Sequence, residues 1–462
     1  MEAMCIREIV EATGGDLLSG SLETELIDVV TDSRIVGEKH FFVPLKGERF
    51  DGHHFIPHAF DNGAVGCVTE QDATVDGKGK CIIKVADTLT ALQDIARYYR
   101  DKFSIPFIGI TGSVGKTTTK DMIALVLEQK YNVLKTAGNF NNEIGLPLTV
   151  FRLSKNHDMG VVEMGMSGFG EISRLVSVAK PQTAIITNIG LSHIEKLGSK
   201  NNILKAKMEI FETFHPRNLA ILNGDDPLLY ALKDDLPFRT LYFGIHNEDC
   251  GLKAQNILSL GEEGSQFDVE TGGVRYTVKI PVMGEHNIYN ALAAIAVGLE
   301  YKVDIEEMTG AMLSLKPGKM RLDIFESNGI KIINDCYNAS PASMKAAIEI
   351  LAQFSTGHRT LAILGDMLEM GDWALEAHKK VGSDVAHHNI HYLITVGRNG
   401  ENIALGAVEA GMAQEKVLHF DTNEAVIHFL EEFGRPEDVL LIKGSRGMKM
   451  EEIVAHLSIR KA

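Results

Sequence analysis

The sequence predicts an α/β protein of three domains, and three observations carry that expectation. The chain has 462 residues, about three times the roughly 150-residue scale of one domain. Apolar residues make up 45% of it, enough for several cores. From residue 107 onward, β-branched runs alternate with helical patterns in two successive series. Such alternation belongs to parallel sheets flanked by helices.

Residues 1–103 form the first predicted domain, small and α/β. Short strand-like runs ("HFFVPL", "VGCVTE", "CIIKVA") alternate with glycine-marked turns, and the helical pattern "DTLTALQDIARYYRD" closes it. The second domain, 104–316, opens with "FIGIT" running into "GKTTTKDMIALVLEQ". Three strand–helix pairs follow: "MGVVEM" with "EISRLVSVA", "TAIITNI" with "NNILKAKMEIFETF", and "NLAILN" with "DPLLYALKD". "SQFDVE" and "RYTVKI" keep the strand period and predict a small antiparallel addition. "HNIYNALAAIAVGLEY" and "DIEEMTGAMLSL" read as closing helices before Lys316-Pro317-Gly318. The third domain, 317–462, repeats the alternation in Rossmann-like fashion: "IKIIND", "SMKAAIEILAQF", "TLAILGD", "YLITVG", "VLHF", "EAVIHFLEEF", "VLLIKG", "MKMEEIVAHL".

Lys+Arg 46 against Asp+Glu 62 leaves a net charge of −16, which argues against a nucleic-acid-backbone binder. Any anionic ligand must be held by local groups. Cys5, Cys67, Cys81, Cys250 and Cys336 are scattered and never spaced as CxxC, as in reduced cytoplasmic proteins. The acidic start "MEAMCIREIVEATGG" is not a secretion signal, and no run approaches 18 apolar residues, so no membrane insertion is expected.

"GSVGKT" places Gly-Lys-Thr between a predicted strand and a predicted helix. Glycines let backbone approach a ligand closely, and amides at a helix N-terminus favour anions. Lys116 would reach the β/γ-phosphates of a nucleotide, and the Thr117 hydroxyl would bind Mg²⁺. The usual G-x-x-x-x-G-K-[ST] pattern would start at 110, which is Ile110, so the loop is a variant. An ordinary strand–turn–helix connection is the plainer alternative. Nucleotide binding alone does not distinguish kinase, ligase or switch.

Two further predicted strands end in polar groups, Glu163 and His193. In a parallel sheet they share the edge on which the phosphate loop opens, so both could serve a cation; each could equally be a cap or loop residue. In "NNILKAKMEIFETF", helical spacing puts Ile203, Lys207, Ile210, Phe211 and Phe214 on one face and Lys205, Asn201, Glu209 and Glu212 on the other. Lys207 thus sits on an apolar stripe, where desolvation lowers an amine's pKa. A neutral amine can react with CO₂ to give a carbamate, an anionic metal ligand. The alternative is a lysine snorkelling from the core's edge.

"TGSVGKTTTKD", "VVEMGMSGFGEI", "NIGLSH" and "KAKMEIF" together resemble the Mur ligase family, ATP-dependent amide-bond formers of bacterial cell-wall precursor synthesis. The resemblance spans the whole chain. "GNFNNEIGLPLT", "INDCYNASPASM", "LGDMLEMG" and "LIKGSRGMKMEE" point to the branch that adds D-alanyl-D-alanine to a UDP-MurNAc-tripeptide through an acyl-phosphate. Ser340 departs from the familiar YNANP run.

The resemblance implies ATP at Thr111, Gly112, Ser113, Val114, Gly115, Lys116, Thr117 and Thr118, with Asn287 on the adenine and Arg321 and Asp335 reaching the nucleotide from the third domain. Read without it, Asn287 is a helix N-terminal residue, Arg321 a linker charge and Asp335 a strand-end cap. It implies two Mg²⁺ sites, one at Thr117 and a second at Glu163, His193 and a carbamylated Lys207. It makes Lys116, Glu163, His193 and Lys207 the catalytic set.

"VTDSRIV" and "VPLKGERFDGHHF" resemble the family's uridine-diphosphate pocket, at Ser33, Arg34, Lys46, Gly47, Asp51, Gly52 and His53. Arg34 and Lys46 can meet a pyrophosphate that glycine amides approach; otherwise "KGERFDGHH" is a solvated turn. Asn338, Asp366, Lys443, Ser445 and Arg446 would face the dipeptide or the acyl-phosphate. A monomer acting on small molecules, with roles in cell shape and division, is also implied. Another amide ligase of the superfamily (an E-type Mur ligase or a folylpolyglutamate synthase) and a nucleotide-dependent switch or scaffold are the alternatives.

Overall fold

The computed structural model describes residues 1–47, 50–71, 79–316 and 318–458. The expected junction at Pro317, and Glu48 and Arg49 of "KGERFDGHH", lie outside these. Three sheets follow one another along the chain, each with helices against it, and a small antiparallel sheet lies between the last two.

The N-terminal sheet has five strands in the order Asp16–Ser19, Cys81–Lys84, Gly66–Thr69, His40–Phe42, Asp28–Val30, with only the first antiparallel to its neighbour. The helix Thr88–Asp101 starts where the Asp87 side chain accepts the Thr90 amide at 2.6 Å. It packs against helix Ile6–Thr13 of its own unit and against helices Gly145–Val150 and Glu171–Ala179 of the next, so it joins the two. Arg100, at its end, is buried and donates to the carbonyls of Ala179, Phe103 and Ile105 at 3.2, 2.6 and 2.8 Å. Its guanidinium lies 4.1 Å from the Phe107 ring centre, which pins the chain as it enters the central sheet.

The central sheet is wholly parallel, in the order Leu252–Lys253, Arg239–Gly244, Leu219–Asn223, Thr183–Ile186, Phe107–Thr111, Met159–Glu163, Val133–Lys135. Every residue of its four inner strands from Leu219–Asn223 to Met159–Glu163 is buried. Coverage on both faces is why these strands read as continuous apolar runs. The chain leaves Phe107–Thr111 toward one edge and later returns on its other side, so this strand sits at a topological switch point, where parallel sheets bind ligands. Gln255–Ser259, Ser265–Thr271 and Val274–Ile280 form the antiparallel addition.

The third sheet runs Asp323–Ser327, Ile330–Asn334, Val439–Lys443, Thr360–Gly365, Tyr392–Val396, Val417–Phe420; only the first strand is antiparallel. It docks on the centre through Glu369 with His193 and Glu195, through Ser259 with Gln353 at 3.1 Å, and through a Lys331–Glu262 ion pair.

Some elements depart from expectation. "NNILKAKMEIFETF" is not one helix: Lys200–Met208 is α-helical and Glu209–Phe211 a tighter 3₁₀ turn. "DPLLYALKD" contracts to Pro227–Tyr230. Helices Ala374–His387 and Gly400–Glu409 and strand Arg239–Gly244 were not anticipated. No described helix is long and apolar enough to cross a membrane.

Candidate active site

The C-terminal ends of three neighbouring strands define the site. Glu163 lies level with Ile110, and Ile186 with Thr111, so the loops after all three open on one edge. After Phe107–Thr111 the chain turns through Gly115, whose φ of 89° is left-handed, into helix Lys116–Leu127. A Cβ at Gly115 would also stand 2.7 Å from Asn290 Oδ1. Lys116 Nζ folds back to donate to the Gly112 carbonyl at 2.9 Å. Asn188 braces the loop twice, accepting from Val114 N and donating to Val114 O, both at 3.0 Å. Ser113 Oγ accepts from Gly190 N at 2.8 Å.

Glu163 is buried and its carboxylate is held from both sides. Oε2 accepts from Thr117 Oγ1 and Oε1 from Asn141 Nδ2, each at 2.7 Å. His193, in a left-handed conformation of φ 64°, ends the next loop with Nδ1 2.5 Å from Glu369 Oε2. Lys207 is 2% exposed, on a face with Ile203, Ile210 and Phe211, while Asn201, Lys205 and Glu212 face solvent. Its Nζ has no hydrogen-bond acceptor among the described residues.

Lys116 links these groups, for it interacts electrostatically with Glu163, Lys207 and His193. Burial pushes the Lys116 pKa down, Glu163 partly restores it, and Arg321 lowers it again. Burial, then the nearby Lys116 charge, drives Lys207 well below the usual lysine value. Burial also lowers His193; Glu369 opposes this, while Lys116 and Lys207 add to it. Positive groups that depress one another's pKa values have high affinity for an arriving polyanion.

A cleft of about 580 Å³ opens over these groups. Its central-domain wall carries residues 113–118, Glu163, His193 and Asn287; its C-terminal wall carries Arg321, Asp335, Asn338 and Lys443. Asn287 Nδ2 donates to the Met283 carbonyl at 2.8 Å and Oδ1 accepts from Asn290 at 3.1 Å. The Arg321 guanidinium stacks 3.8 Å from the Tyr337 ring centre. Lys443, 2% exposed, pairs with Asp335 and donates to the Asn338 carbonyl at 2.9 Å. An adjoining cavity of about 290 Å³ is lined by His193, Tyr337, Asn338, Glu369, Ser445 and Arg446, among others.

The donor set fits Mg²⁺. Glu163 and Thr117 offer oxygens, and Mg²⁺ is held by one or two carboxylates together with substrate phosphates rather than by an all-protein cage. No three His, Cys, Asp or Glu side chains among the described residues converge on one point.

The N-terminal cluster stands apart, for neither cavity draws on residues before 113. Ser33 and Arg34 lie on the 3₁₀ turn Ser33–Ile35 capped by Asp32, which Arg34 also pairs with at 2.6 Å. Lys46 and Asp51 face each other across a bridge. His53 Nδ1 contacts Asp51 Oδ1 at 2.6 Å and Nε2 accepts from Glu70 N at 3.1 Å. The amides of Gly47 and Gly52 are taken by the carbonyls of Phe50 and Leu45. These two amides are thus engaged within the loop, while the side chains of Arg34 and Lys46 are exposed.

Residues 28–100 match the Mur ligase family catalytic domain, 110–298 the Mur ligase middle domain, and 320–446 the Mur ligase glutamate ligase domain. The UDP-N-acetylmuramoyl-tripeptide–D-alanyl-D-alanine ligase of Bacillus subtilis is 40% identical over 98% of both chains. The chain belongs to the Mur ligase family.

Among solved structures, a MurF crystal structure from Acinetobacter baumannii superposes with a TM-score of 0.90 at 30% identity, over 99% of each chain. The MurF ligase from Thermotoga maritima, solved with ADP, gives 0.81 at 30% identity, over 93% of this chain and 97% of that one. The three-domain α/β architecture of this Mur ligase is therefore shared at full length.

Within this Mur ligase, the expected site residues fall into groups. Residues 113–118, Glu163, His193, Asn287, Arg321 and Asp335 share the large cleft. Thr111 is buried beneath it, and neither Gly112 nor Lys207 lines it. Asn338, Ser445 and Arg446 line the smaller cavity, and Lys443 the larger. Asp366 lines neither: its carboxylate accepts the Gly400 amide at 2.8 Å, at the start of helix Gly400–Glu409. Ser340, the departure from the familiar run, caps helix Pro341–Ala352 by accepting from Ser343 N, a role serine fills as well as asparagine. Asn141, Asn188, Tyr337 and Glu369 were not foreseen. Asn188 sits inside "NIGLSH", and the fixed spacing of that run behind the phosphate loop was the available signal.

Proposed function

We propose that this Mur ligase joins D-alanyl-D-alanine to a UDP-MurNAc-tripeptide, converting ATP to ADP and phosphate, as a cytoplasmic step of peptidoglycan precursor synthesis. The reading is carried by one arrangement: Lys116, Thr117, Glu163 and His193 meet Arg321, Asp335 and Asn338 around a single cleft.

A carboxylate and an amine do not condense in water, because hydroxide leaves poorly and the carboxylate resists attack. Moving the γ-phosphoryl group onto a tripeptide carboxylate oxygen makes an acyl-phosphate and removes both obstacles. Lys116 and the loop amides orient the triphosphate and offset the repulsion between it and the approaching carboxylate. Thr117, Glu163 and His193 would hold Mg²⁺, which when bound neutralises charge on the transferring phosphoryl. The dipeptide amine then attacks the acyl carbon, its proton is lost, and phosphate departs with the carboxylate oxygen it took. Ser445, Arg446 and Asn338 front the cavity in which the dipeptide would lie, and closure of the C-terminal unit over the cleft would exclude water from the intermediate. Arg34 and Lys46 would meet the diphosphate of the sugar nucleotide.

For Lys207, burial, a lowered pKa and the absence of an acceptor among the described residues favour the neutral amine. That form adds CO₂, releasing a proton, to give an anionic carbamate beside Lys116. A carbamate signal in NMR spectra of ¹³C-bicarbonate-treated protein, lost in Lys207→Ala, is the expected result, with partial rescue of that variant by a small added carboxylate. Function is tested by phosphate release with mass-spectrometric product detection. Release requiring both substrates and yielding the pentapeptide is expected; turnover indifferent to either would favour a switch or scaffold.

A further inference from the structure

The turn carrying Glu369 reaches from the C-terminal unit into the central one at three points. Its carboxylate meets His193 Nδ1 at 2.5 Å. Its carbonyl accepts the Glu195 amide at 3.2 Å. Two residues on, Gly371 packs so closely on Glu195 that a Cβ there would lie 3.1 Å from Glu195 Cγ. His193 and Glu369 both occupy left-handed backbone, with φ values of 64° and 61°. Two non-glycine residues held in that sparse region and facing each other across a domain boundary mark a place where the surrounding structure enforces a geometry. His193 also lines both cavities, whereas Glu369 lines only the smaller.

An ionised carboxylate only accepts hydrogen bonds. A neutral His193 ring that donates Nδ1–H to Glu369 has its lone pair on Nε2, the form in which imidazole binds a cation. The partner on the other ring nitrogen also raises that nitrogen's basicity. Unusually, the partner here is supplied by another domain. We propose that Glu369 is a positioning residue that sets the tautomer and orientation of His193, and that it makes divalent-cation affinity in the cleft depend on docking of the C-terminal unit. The inference rests on the assignment of Glu163 and His193 to the cation.

The test measures Mn²⁺ affinity by electron paramagnetic resonance in the full-length protein with a non-hydrolysable ATP analogue, alongside small-angle scattering and melting temperature. Variants are Glu369→Ala, Glu369→Gln, Glu163→Gln, His193→Ala and the Glu369→Ala/His193→Ala double. Glu369→Ala should weaken Mn²⁺ binding by about 10- to 100-fold, the usual effect of removing a ligand's hydrogen-bond partner. Glu369→Gln, which keeps an acceptor, should recover part of the loss. His193→Ala should render Glu369→Ala nearly without further effect. Glu369→Ala that changes scattering or melting but leaves Mn²⁺ affinity intact makes the contact a mere latch and overturns the proposal. If Glu163→Gln weakens Mn²⁺ and Glu369→Ala does not, only the positioning role fails. If Glu163→Gln has no effect, the cation assignment fails and the proposal with it.

Discussion

Replacing Lys207 separates stability from function. The residue is 2% exposed, its amine has no acceptor among the described residues, and burial and Lys116 drive its pKa well below the normal lysine value. A buried polar group without a partner costs about 1–3 kcal/mol. Lys207→Met keeps the stem's volume and removes that group, so the metal-free, nucleotide-free protein should gain about 1–3 kcal/mol. For a domain of this size that is roughly 2–12 °C in Tm. Lys207→Ala removes the same amine but leaves a void between Ile203, Ile210 and Phe211, costing about 2–5 kcal/mol, and should lower Tm.

The pH dependence follows from linkage. Between the lowered pKa of Lys207 and its ordinary value near ~10.4, the unfolded chain binds a proton that the folded one does not. Wild-type stability from this group therefore rises with pH across that window and falls as pH drops. Methionine lacks the dependence, so its advantage should be larger at pH 6 than at pH 9. Calorimetry in CO₂-free buffer at both pH values, with phosphate-release assays in parallel, gives the answer. Ligase activity should fall about a hundredfold or more in both variants. Equal destabilisation by Met and Ala, or a Met advantage that ignores pH, would refute the reading of Lys207 as a desolvated amine.

Three other substitutions probe the scaffold. Gly115→Ala forces left-handed backbone on an alanine, costing roughly 1–2 kcal/mol, and displaces Asn290, which accepts from Thr119; calorimetric nucleotide affinity should fall roughly tenfold. Asp335→Ala strands the buried Lys443 ammonium, at about 3–5 kcal/mol, seen as an earlier C-terminal unfolding transition in urea; adding Lys443→Met should recover part of it. His378 is buried, with Nδ1 2.6 Å from the Ala374 carbonyl and Nε2 accepting from Met367 N at 2.9 Å. Burial lowers its pKa, so stability drains away as pH falls below its ordinary value, and His378→Gln should flatten the acid limb of the melting profile.

The sequence made the site's skeleton legible where local rules govern. Gly-Lys-Thr between a β-branched run and a helix needs nothing beyond its neighbours, and the burial of Lys207 beside Ile203 follows from helical period, although Ile210 and Phe211 lie on the 3₁₀ turn that follows. Helices Ala374–His387 and Gly400–Glu409 were hidden because glycine reads as a breaker. Here a Cβ at Gly382 would lie 1.9 Å from the Ile403 carbonyl, and one at Gly406 2.1 Å from that of Lys379, so both are demanded by close helix contact. Glu369 was invisible as a partner of His193 because 176 residues separate them. Asp366 carried the right chemistry for a site and instead accepts the Gly400 amide, a distinction only tertiary placement makes.

The central claim is that a carboxylate is activated by phosphorylation before the amine arrives. A UDP-MurNAc-tripeptide labelled with ¹⁸O in the reacting carboxylate, turned over with ATP and D-alanyl-D-alanine, should yield inorganic phosphate carrying one ¹⁸O per pentapeptide formed. Phosphate that contains no label, its extra oxygen drawn from solvent, would contradict it.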